Sequence, residues 1–326
     1  MDLGHLGPLG PVSRLTLGGG GLGQLWGQTD RAECVATLRA AVDGGIDLID
    51  QAYRYGNGEA ELVLGEAFEG RLPGGVRVTS KCLLGNTPAA EIEDRLRQSV
   101  HDSLARMQLE RLDLFFLHSN VAPDGHPMQQ HPDAGARMTA YSDFVATARP
   151  CFESLVAEGL IGAWGLTGIG HPDAIIRLLG ERPAPSVVQC IANAMDSPGA
   201  LKFYDEPARP RAVIAAAQAN HVGVMGIRAV QAGALTDAID RDLPDDHAEV
   251  RDFNAAGAYR ALAAELGMSA AVLGHRYALS MDGVDTVVLG VKNRAELADC
   301  IAAADAGPLP AEIVNRVDGC FPDRDA

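Results

Sequence analysis

Positive charge is scarce in this sequence. Its 326 residues include 27 Lys and Arg against 43 Asp and Glu, which gives a formal net charge of −16. Proteins that bind nucleic acid neutralise phosphates with clustered basic side chains, and the sequence has no such cluster. Nucleic acid is therefore not expected as a partner. A phosphorylated cofactor is still compatible, because a few backbone N–H groups or one local basic patch can hold its phosphates.

Long apolar runs and paired cysteines are also lacking. No stretch approaches the length of a transmembrane helix, and Met1–Pro11 has neither the basic start nor the apolar run of a secretory signal. We therefore expect a protein that is neither exported nor membrane-spanning. The cysteines are scattered, without a C-x-x-C pair, at Cys34, Cys82, Cys151, Cys190, Cys300 and Cys320. This spacing predicts reduced, mostly buried thiols and a cytoplasmic location.

Short apolar runs alternate with helical patterns along the chain. Strands are predicted at Leu15–Leu17, Ile46–Ile49, Val76–Thr79, Leu112–Leu117, Gly162–Leu166, Val187–Cys190, Val222–Ile227 and Val284–Leu289. Helices are predicted around 31–43, 59–69, 89–107, 143–158, 173–179, 209–219, 255–266 and 294–304. Eight strand-then-helix units with doubly buried strands predict a parallel sheet that closes into a single (β/α)8 TIM barrel, one domain over residues 1–326.

Two of the predicted connections are unusually long. They cover about 119–142, after the fourth strand, and 228–252, after the seventh strand. In a barrel both follow the carboxyl ends of strands, so we expect them to shape a substrate pocket. A further helix is predicted at 270–279, before the last strand.

The glycine run Gly18–Gly23 formally fits the dinucleotide-binding pattern G-x-G-x-x-G. In a Rossmann fold this motif opens a helix, whereas Gln24–Gln28 has turn character and the next helix is expected only after Thr29 or Asp30. A short-chain dehydrogenase of that fold would also need Y-x-x-x-K, and none of the six tyrosines has Lys four residues later. A Rossmann site is therefore disfavoured.

Four polar residues lie at or just past the ends of successive predicted strands: Asp50, Tyr55, Lys81 and His118. Each has an ordinary structural explanation, such as a helix cap, a solvated strand end or a core imidazole. Together they predict one site at the barrel mouth. There Lys81 is expected to lower the pKa of Tyr55, Asp50 to hold Lys81, and His118 to bond a substrate oxygen. A carbonyl held in this way is polarised for hydride attack from a cofactor.

The segment Ile49–Gly56 resembles the D-x-A-x-x-Y-G signature of the aldo-keto reductase family, and Lys81 and His118 stand in similar strand-end contexts. Gly165–Gly168, with the sequence Gly-Leu-Thr-Gly, resembles the branch that includes galactose dehydrogenases. The resemblance implies a barrel that binds NAD(P)H across its mouth and interconverts a carbonyl (aldehyde, ketone or sugar) and its alcohol, with Tyr55 as general acid/base. A small-molecule substrate is expected, in a pocket lined by Trp26, Tyr55 and His118.

The same resemblance implies a set of cofactor-binding residues: Gly20, Gly21, Asp50, Thr167, Gln189, Arg228, Gly290, Lys292, Asn293 and Glu296. Thr167 and Gln189 would contact the nicotinamide carboxamide, and Arg228 the pyrophosphate. Ile227 and Gly168 replace an aromatic ring and an asparagine that contact the nicotinamide in many members. Lys292 favours NADP through a 2′-phosphate, whereas Glu296 stands where NADP-dependent members carry a cation, which keeps NAD as the alternative.

We also considered three alternative interpretations of the sequence: a metal site and two other functions. His118, His126, His131, Asp124 and Asp133 cluster in sequence but match no zinc spacing, so no metal is predicted. A non-catalytic, cofactor-sensing regulatory subunit with the same barrel is the main alternative function. A metal-dependent barrel isomerase or hydrolase is a third.

Overall fold

The computed structural model describes residues 1–126 and 134–322. Its centre is a closed barrel of eight parallel strands, in which each strand pairs with the next in chain order and the last pairs with the first. The barrel strands are β3 (Leu15–Gly18), β4 (Leu48–Asp50), β5 (Arg77–Cys82), β6 (Leu112–Leu117), β9 (Ile161–Thr167), β10 (Val187–Ile191), β11 (Gly223–Ile227) and β12 (Thr286–Leu289). The predicted (β/α)8 TIM barrel is confirmed, and strand ends coincide with the predicted ones or differ from them by at most three residues.

Helices surround the barrel and bury apolar faces against the strands. They are α1 (Gly19–Leu22), α2 (Arg31–Asp43), α3 (Glu59–Phe68), α4 (Ile92–Met107), α5 (Ala134–Arg137), α6 (Tyr141–Asp143), α7 (Arg149–Ala157), α8 (Pro172–Gly180), α9 (Pro210–Ala219), α10 (Ala248–Ala255), α11 (Gly257–Glu265), α12 (Ala270–Ser280), α13 (Arg294–Asp305) and α14 (Ala311–Asp318). A π-helical stretch, Phe144–Ala148, joins α6 to α7. In the described parts of the chain, no helix is long and apolar enough to cross a membrane.

A short hairpin closes the amino-terminal end of the barrel. Its strands, β1 (Leu3–His5) and β2 (Pro11–Ser13), pair antiparallel. Leu6 and Val12 are fully buried in a cluster with barrel residues that include Phe116. The sequence patterns did not predict this hairpin, because three-residue strands carry little periodicity. It fills the end of the barrel opposite the carboxyl ends of the strands.

The two long connections have more structure than predicted. After β6, the strands β7 (Asn120–Ala122) and β8 (Met138–Ala140) form a small parallel sheet. After β11, the chain forms a helical turn at Gln231–Gly233 and reaches α10 at Ala248, four residues before the predicted end of the loop. Helices α10 and α14 were also missed. Both connections leave the carboxyl ends of barrel strands and lie beside the mouth.

The thiols agree with the predicted reduced state. All six cysteines are free, and five of them are buried. Burial raises the pKa of the Cys82 thiol to about 11, so this neighbour of Lys81 stays protonated at neutral pH. Cys82 therefore packs as a small apolar side chain.

Close packing inside the barrel can be tested at Gly165 of β9. A Cβ atom there would lie 2.3 Å from the Phe116 ring and 2.6 Å from the Val187 carbonyl oxygen. Because the ring and the neighbouring strand have to move, Gly165→Ala should lower the free energy of unfolding by about 1–3 kcal/mol in urea titrations. The control is Gly74→Ala, whose Cβ meets nothing within 4 Å. Equal stability of the two variants would contradict this packing.

Candidate active site

The candidate site is centred on a buried ammonium group at the end of β5. Lys81 Nζ donates to Asp50 Oδ2 at 2.8 Å, to the Gln51 carbonyl oxygen at 2.9 Å and to the Tyr55 hydroxyl at 3.0 Å. The side chains of Lys81 and Asp50 are 0% and 1% exposed. An ammonium has three N–H donors, so each donor of Lys81 has one acceptor.

The backbone brings these groups together through the barrel register. Asp50 ends β4, and Lys81 lies near the end of β5, two residues beyond Thr79, which pairs with Asp50. Side chains two residues apart on a strand share a face, so Thr79 and Lys81 both point towards Asp50. Tyr55 follows β4 in a turn in which its N–H donates to the Ala52 carbonyl. His118 follows β6, and its N–H donates to the Cys82 carbonyl at 2.7 Å.

The other carboxylate oxygen of Asp50 also accepts hydrogen bonds from the protein. Its Oδ1 accepts from the Thr79 hydroxyl and from Gln189 Nε2, each at 2.7 Å. Sequence reasoning missed Thr79, although its position two residues before Lys81 was a readable signal. It assigned Gln189 to the nicotinamide amide, whereas the structure directs one of its N–H groups to Asp50. The same nitrogen also donates to Met225 Sδ at 4.0 Å, so the amide oxygen is the group that is available for a ligand.

Burial dominates the electrostatics of Tyr55. It raises the pKa of the phenol above its ordinary value, the Lys81 charge opposes this, and the Asp50 charge reinforces it. Lys81 thus lowers this pKa as expected, but burial outweighs its effect and the total shift is upward. For Lys81, burial lowers the pKa, but the charge and hydrogen bonds of Asp50 and Tyr55 raise it overall. At neutral pH the phenol is protonated and the ammonium is charged.

His118 lies against the Tyr55 ring, with ring centroids 5.8 Å apart in an edge arrangement. Burial lowers the pKa of the His118 imidazole well below its ordinary value, and the charges of Lys81, Arg54 and Arg137 add to this effect. The imidazole is neutral at pH 7. Its buried Nδ1 has no protein partner among the described residues. Sequence reasoning missed Arg54 and Arg137, because neither lies in a spacing pattern with His118.

The predicted cofactor residues lie around the same mouth in three groups. In the first, Gly20 and Gly21 form part of the single turn α1: a Cβ on Gly20 would lie 2.6 Å from Trp26 Nε1, and one on Gly21 would lie 1.8 Å from the Val291 carbonyl oxygen. The loops after β3 and β12 are thus in close contact. The Arg241 guanidinium lies over the Trp26 ring, 5.2 Å from the centroid of that ring. Trp26 therefore lies on the side of the mouth that holds the predicted cofactor residues.

The second group lies after β9 and β11. The Thr167 hydroxyl donates to the Leu117 carbonyl at 2.7 Å, which leaves its oxygen free to accept. Arg228 is already engaged: it donates to Gln231 Oε1 at 2.8 Å and pairs with Glu249 at 2.6 Å. A pyrophosphate at Arg228 would share the guanidinium with that carboxylate.

The third group lies after β12, at the start of α13. Asn293 caps this helix by accepting from the Glu296 N–H at 2.9 Å. Lys292 Nζ pairs with Glu296 at 2.6 Å and with Asp240 at 3.2 Å. Gly290 is exposed beside Trp26. The lysine predicted to bind a 2′-phosphate is therefore held by two carboxylates.

The fold and the site define an α/β barrel with an ionisable tetrad at the carboxyl ends of its strands. A sequence model of the Aldo/keto reductase family matches residues 14–321. This match covers nearly the whole chain, and the protein belongs to that family.

Individual relatives match shorter stretches. The aldo-keto reductase YhdN of Bacillus subtilis is 36% identical over 113 residues, 33% of this chain and 34% of that protein. The L-galactose dehydrogenase of Arabidopsis thaliana is 26% identical over 194 residues, 59% of this chain and 55% of that protein. The chain thus spans about a third and about half of these two relatives. An aldo-keto reductase from Klebsiella pneumoniae, solved in complex with NADPH, shares the fold with a TM-score of 0.67 at 22% identity, over 98% of this chain and 95% of that one.

The cost of an uncompensated charge in this site is testable. Lys81→Met leaves the Asp50 carboxylate buried without its cation and should lower the free energy of unfolding by about 3–5 kcal/mol in urea titrations. Asp50→Asn combined with Lys81→Met should lower it less, because neither charge is left alone. Arg97→Met, which breaks exposed pairs with Glu93 and Glu158, should cost no more than about 1 kcal/mol. A loss for Lys81→Met as small as that of Arg97→Met would show that the pair is solvated.

Proposed function

We propose that this protein is an NAD(P)-dependent oxidoreductase that interconverts a carbonyl (an aldehyde, ketone or sugar) and its alcohol by hydride transfer, with Tyr55 as the general acid/base. The observation that carries the proposal is the placement of the Tyr55 hydroxyl 3.0 Å from Lys81 Nζ, beside the neutral ring of His118. The free thiols support the cytoplasm as the place of this activity.

The direction of the hydrogen bond between Lys81 and Tyr55 supports a role for Tyr55 as an acid. The Lys81 ammonium has no acceptor, so the Tyr55 oxygen must accept from it. The phenolic proton is then free to point away from Lys81, towards a substrate oxygen. Because its pKa is raised, the phenol retains this proton until the substrate oxygen gains negative charge in the transition state.

His118 would hold the same substrate oxygen from a second direction. Its imidazole is neutral and therefore carries one N–H donor and one lone pair. A neutral donor binds the oxygen without competing with Tyr55 for the role of acid. Two donors placed where negative charge develops stabilise the transition state more than the ground state.

The residues present fit a nicotinamide cofactor. The Thr167 hydroxyl oxygen and the Gln189 amide oxygen offer acceptors for the N–H groups of the cofactor's carboxamide. At the start of α13, Lys292 would bind a phosphate by exchanging its carboxylate partners, Asp240 and Glu296, for that phosphate. When bound, the cofactor would supply the hydride for reduction, or accept it in the reverse direction. NADP is favoured by Lys292 and by the NADPH bound to the Klebsiella structure, with NAD as the alternative.

The role of Tyr55 is tested by removing one oxygen atom. Tyr55→Phe should lower carbonyl reduction by about 10²–10⁴-fold, because the general acid is lost. NADPH binding, followed by tryptophan fluorescence, should change by less than about twofold. Tyr53→Phe is the matched control, since Tyr53 is two residues away and 45% exposed. Turnover retained by Tyr55→Phe would overturn the mechanism. Cofactor binding without turnover by the unaltered protein on any carbonyl tested would favour the regulatory subunit.

Cofactor preference is tested at Lys292. If this side chain binds the 2′-phosphate, Lys292→Met should weaken NADPH binding by about tenfold or more and leave NADH binding nearly unchanged. The control is Lys202→Met, on the loop after β10, where Lys202 Nζ donates to the Asp205 carbonyl. An equal loss of affinity for NADPH and NADH would show that Lys292 only forms its ion pairs with Asp240 and Glu296 and does not bind the 2′-phosphate.

A further inference from the structure

A second cluster of ligating side chains lies at the rim of the mouth, and it includes none of the tetrad residues. His126 follows β7, His171 precedes α8, and Glu206 lies in the connection from β10 to α9. One ligand atom from each residue lies within 4.8 Å of the other two. His171 Nε2 is 3.5 Å from Glu206 Oε2, and the rings of His126 and His171 are 5.2 Å apart.

The three connections that carry these residues are already joined near the cluster. Asn120 Nδ2, after β6, donates to the Ile169 carbonyl at 3.3 Å, after β9, and to the Leu201 carbonyl at 3.1 Å, after β10. The His171 N–H donates to the Val121 carbonyl at 2.8 Å. These bonds hold together the three connections that carry the cluster. A ligand here meets a partly preorganised site.

His171 is the most restrained member. Its side chain is 6% exposed, and its ring lies 5.5 Å from that of Tyr204. Nδ1 accepts from the Asp173 N–H at 3.3 Å, while Nε2 faces Glu206. A cation at Nε2 requires the ring proton to move to Nδ1, which gives up the bond from Asp173. The loss of this helix-cap bond lowers the net affinity for the cation.

The charges around the cluster favour a cation. A cation beside the two rings would face the carboxylate of Glu206, whose Oε2 lies 3.5 Å from His171 Nε2. The nearby basic side chains are engaged elsewhere: Lys202 donates to the Asp205 carbonyl, and Arg209 pairs with Asp173. Two imidazoles and one carboxylate match the donors that Zn²⁺ takes in sites with an open fourth position.

We propose that His126, His171 and Glu206 bind a divalent cation of borderline softness, best matched by Zn²⁺, with water as the fourth ligand. Tetrahedral ligands at about 2.1 Å from the metal lie roughly 3.4 Å apart, so the side chains must close by about 1 Å. The bound ion would cross-link the connections after β6, β9 and β10 at the rim of the mouth. This site is independent of the proposed hydride transfer.

The proposal departs from the sequence-based expectation of no metal. That expectation rested on residues of one loop, of which His131 and Asp133 lie outside the described residues. The cluster instead takes its ligands from three connections, and His126 and Glu206 are 80 positions apart. No local spacing pattern could have indicated it.

Zinc binding to the tag-free protein, stripped with a chelator, tests the site. Titration with ZnCl₂ against a chromophoric competitor should show one equivalent bound, unaffected by Mg²⁺ or Ca²⁺. At a zinc concentration about a hundred times the Kd, the melting temperature should rise by roughly 3–5 °C. Co²⁺ in place of zinc should give the strong visible absorption of a four-coordinate ion.

Variants decide which residues hold the ion. His126→Gln and Glu206→Gln should each weaken zinc binding by about tenfold or more, whereas His101→Gln, at an exposed histidine of α4, should not. His171→Gln is less decisive, because His171 also caps α8. Absence of stoichiometric binding, or full binding in both His126→Gln and Glu206→Gln, would overturn the proposal. So would loss of binding in Cys320→Ser, which would assign the zinc to the half-buried thiol. None of these readouts depends on catalysis.

Discussion

The buried ion pair between Lys81 and Asp50 is the constraint on which the rest of the site depends. Two charges withdrawn from water are tolerated only if their hydrogen-bonding capacity is filled by the protein. Lys81 fills it with three acceptors, and Asp50 fills it with Lys81, Thr79 and Gln189. These contacts join β4, β5 and β10 across the barrel mouth. The position of the Tyr55 hydroxyl follows, because it is the third acceptor of Lys81.

The barrel and the tetrad were predictable because their signals are local. A parallel strand buried on both faces appears as an apolar run, and a polar residue at its carboxyl end, such as Asp50 or His118, stands out against that run. Eight such runs, each followed by a helix, leave few alternative topologies. The start of α2 was also predictable from the sequence, because Asp30 is an N-cap residue whose side chain accepts from the Glu33 N–H.

The features that escaped prediction depend on contacts between distant parts of the chain. The hairpin that closes the barrel is defined by Leu6 and Val12 meeting side chains from several strands, which its own short sequence does not reveal. Lys292 could be proposed from the sequence as a phosphate-binding cation, but its pairing with Asp240 joins residues 52 positions apart. The cluster of His126, His171 and Glu206 likewise joins residues that are far apart in the sequence.

The pKa of Tyr55 shows how burial can reverse a conclusion drawn from pairwise charges. Lys81 acting alone would lower the pKa, but removing the phenol from water penalises the phenolate more, and Asp50 adds to that penalty. In the proposed mechanism, the contribution of Lys81 to proton transfer would therefore be largely directional. Its N–H occupies the Tyr55 oxygen, so the phenolic proton would be free to face the mouth, next to a His118 ring that is kept neutral by burial. The phenol would then give up its proton only as the substrate oxygen becomes negative, which would tie proton transfer to hydride transfer.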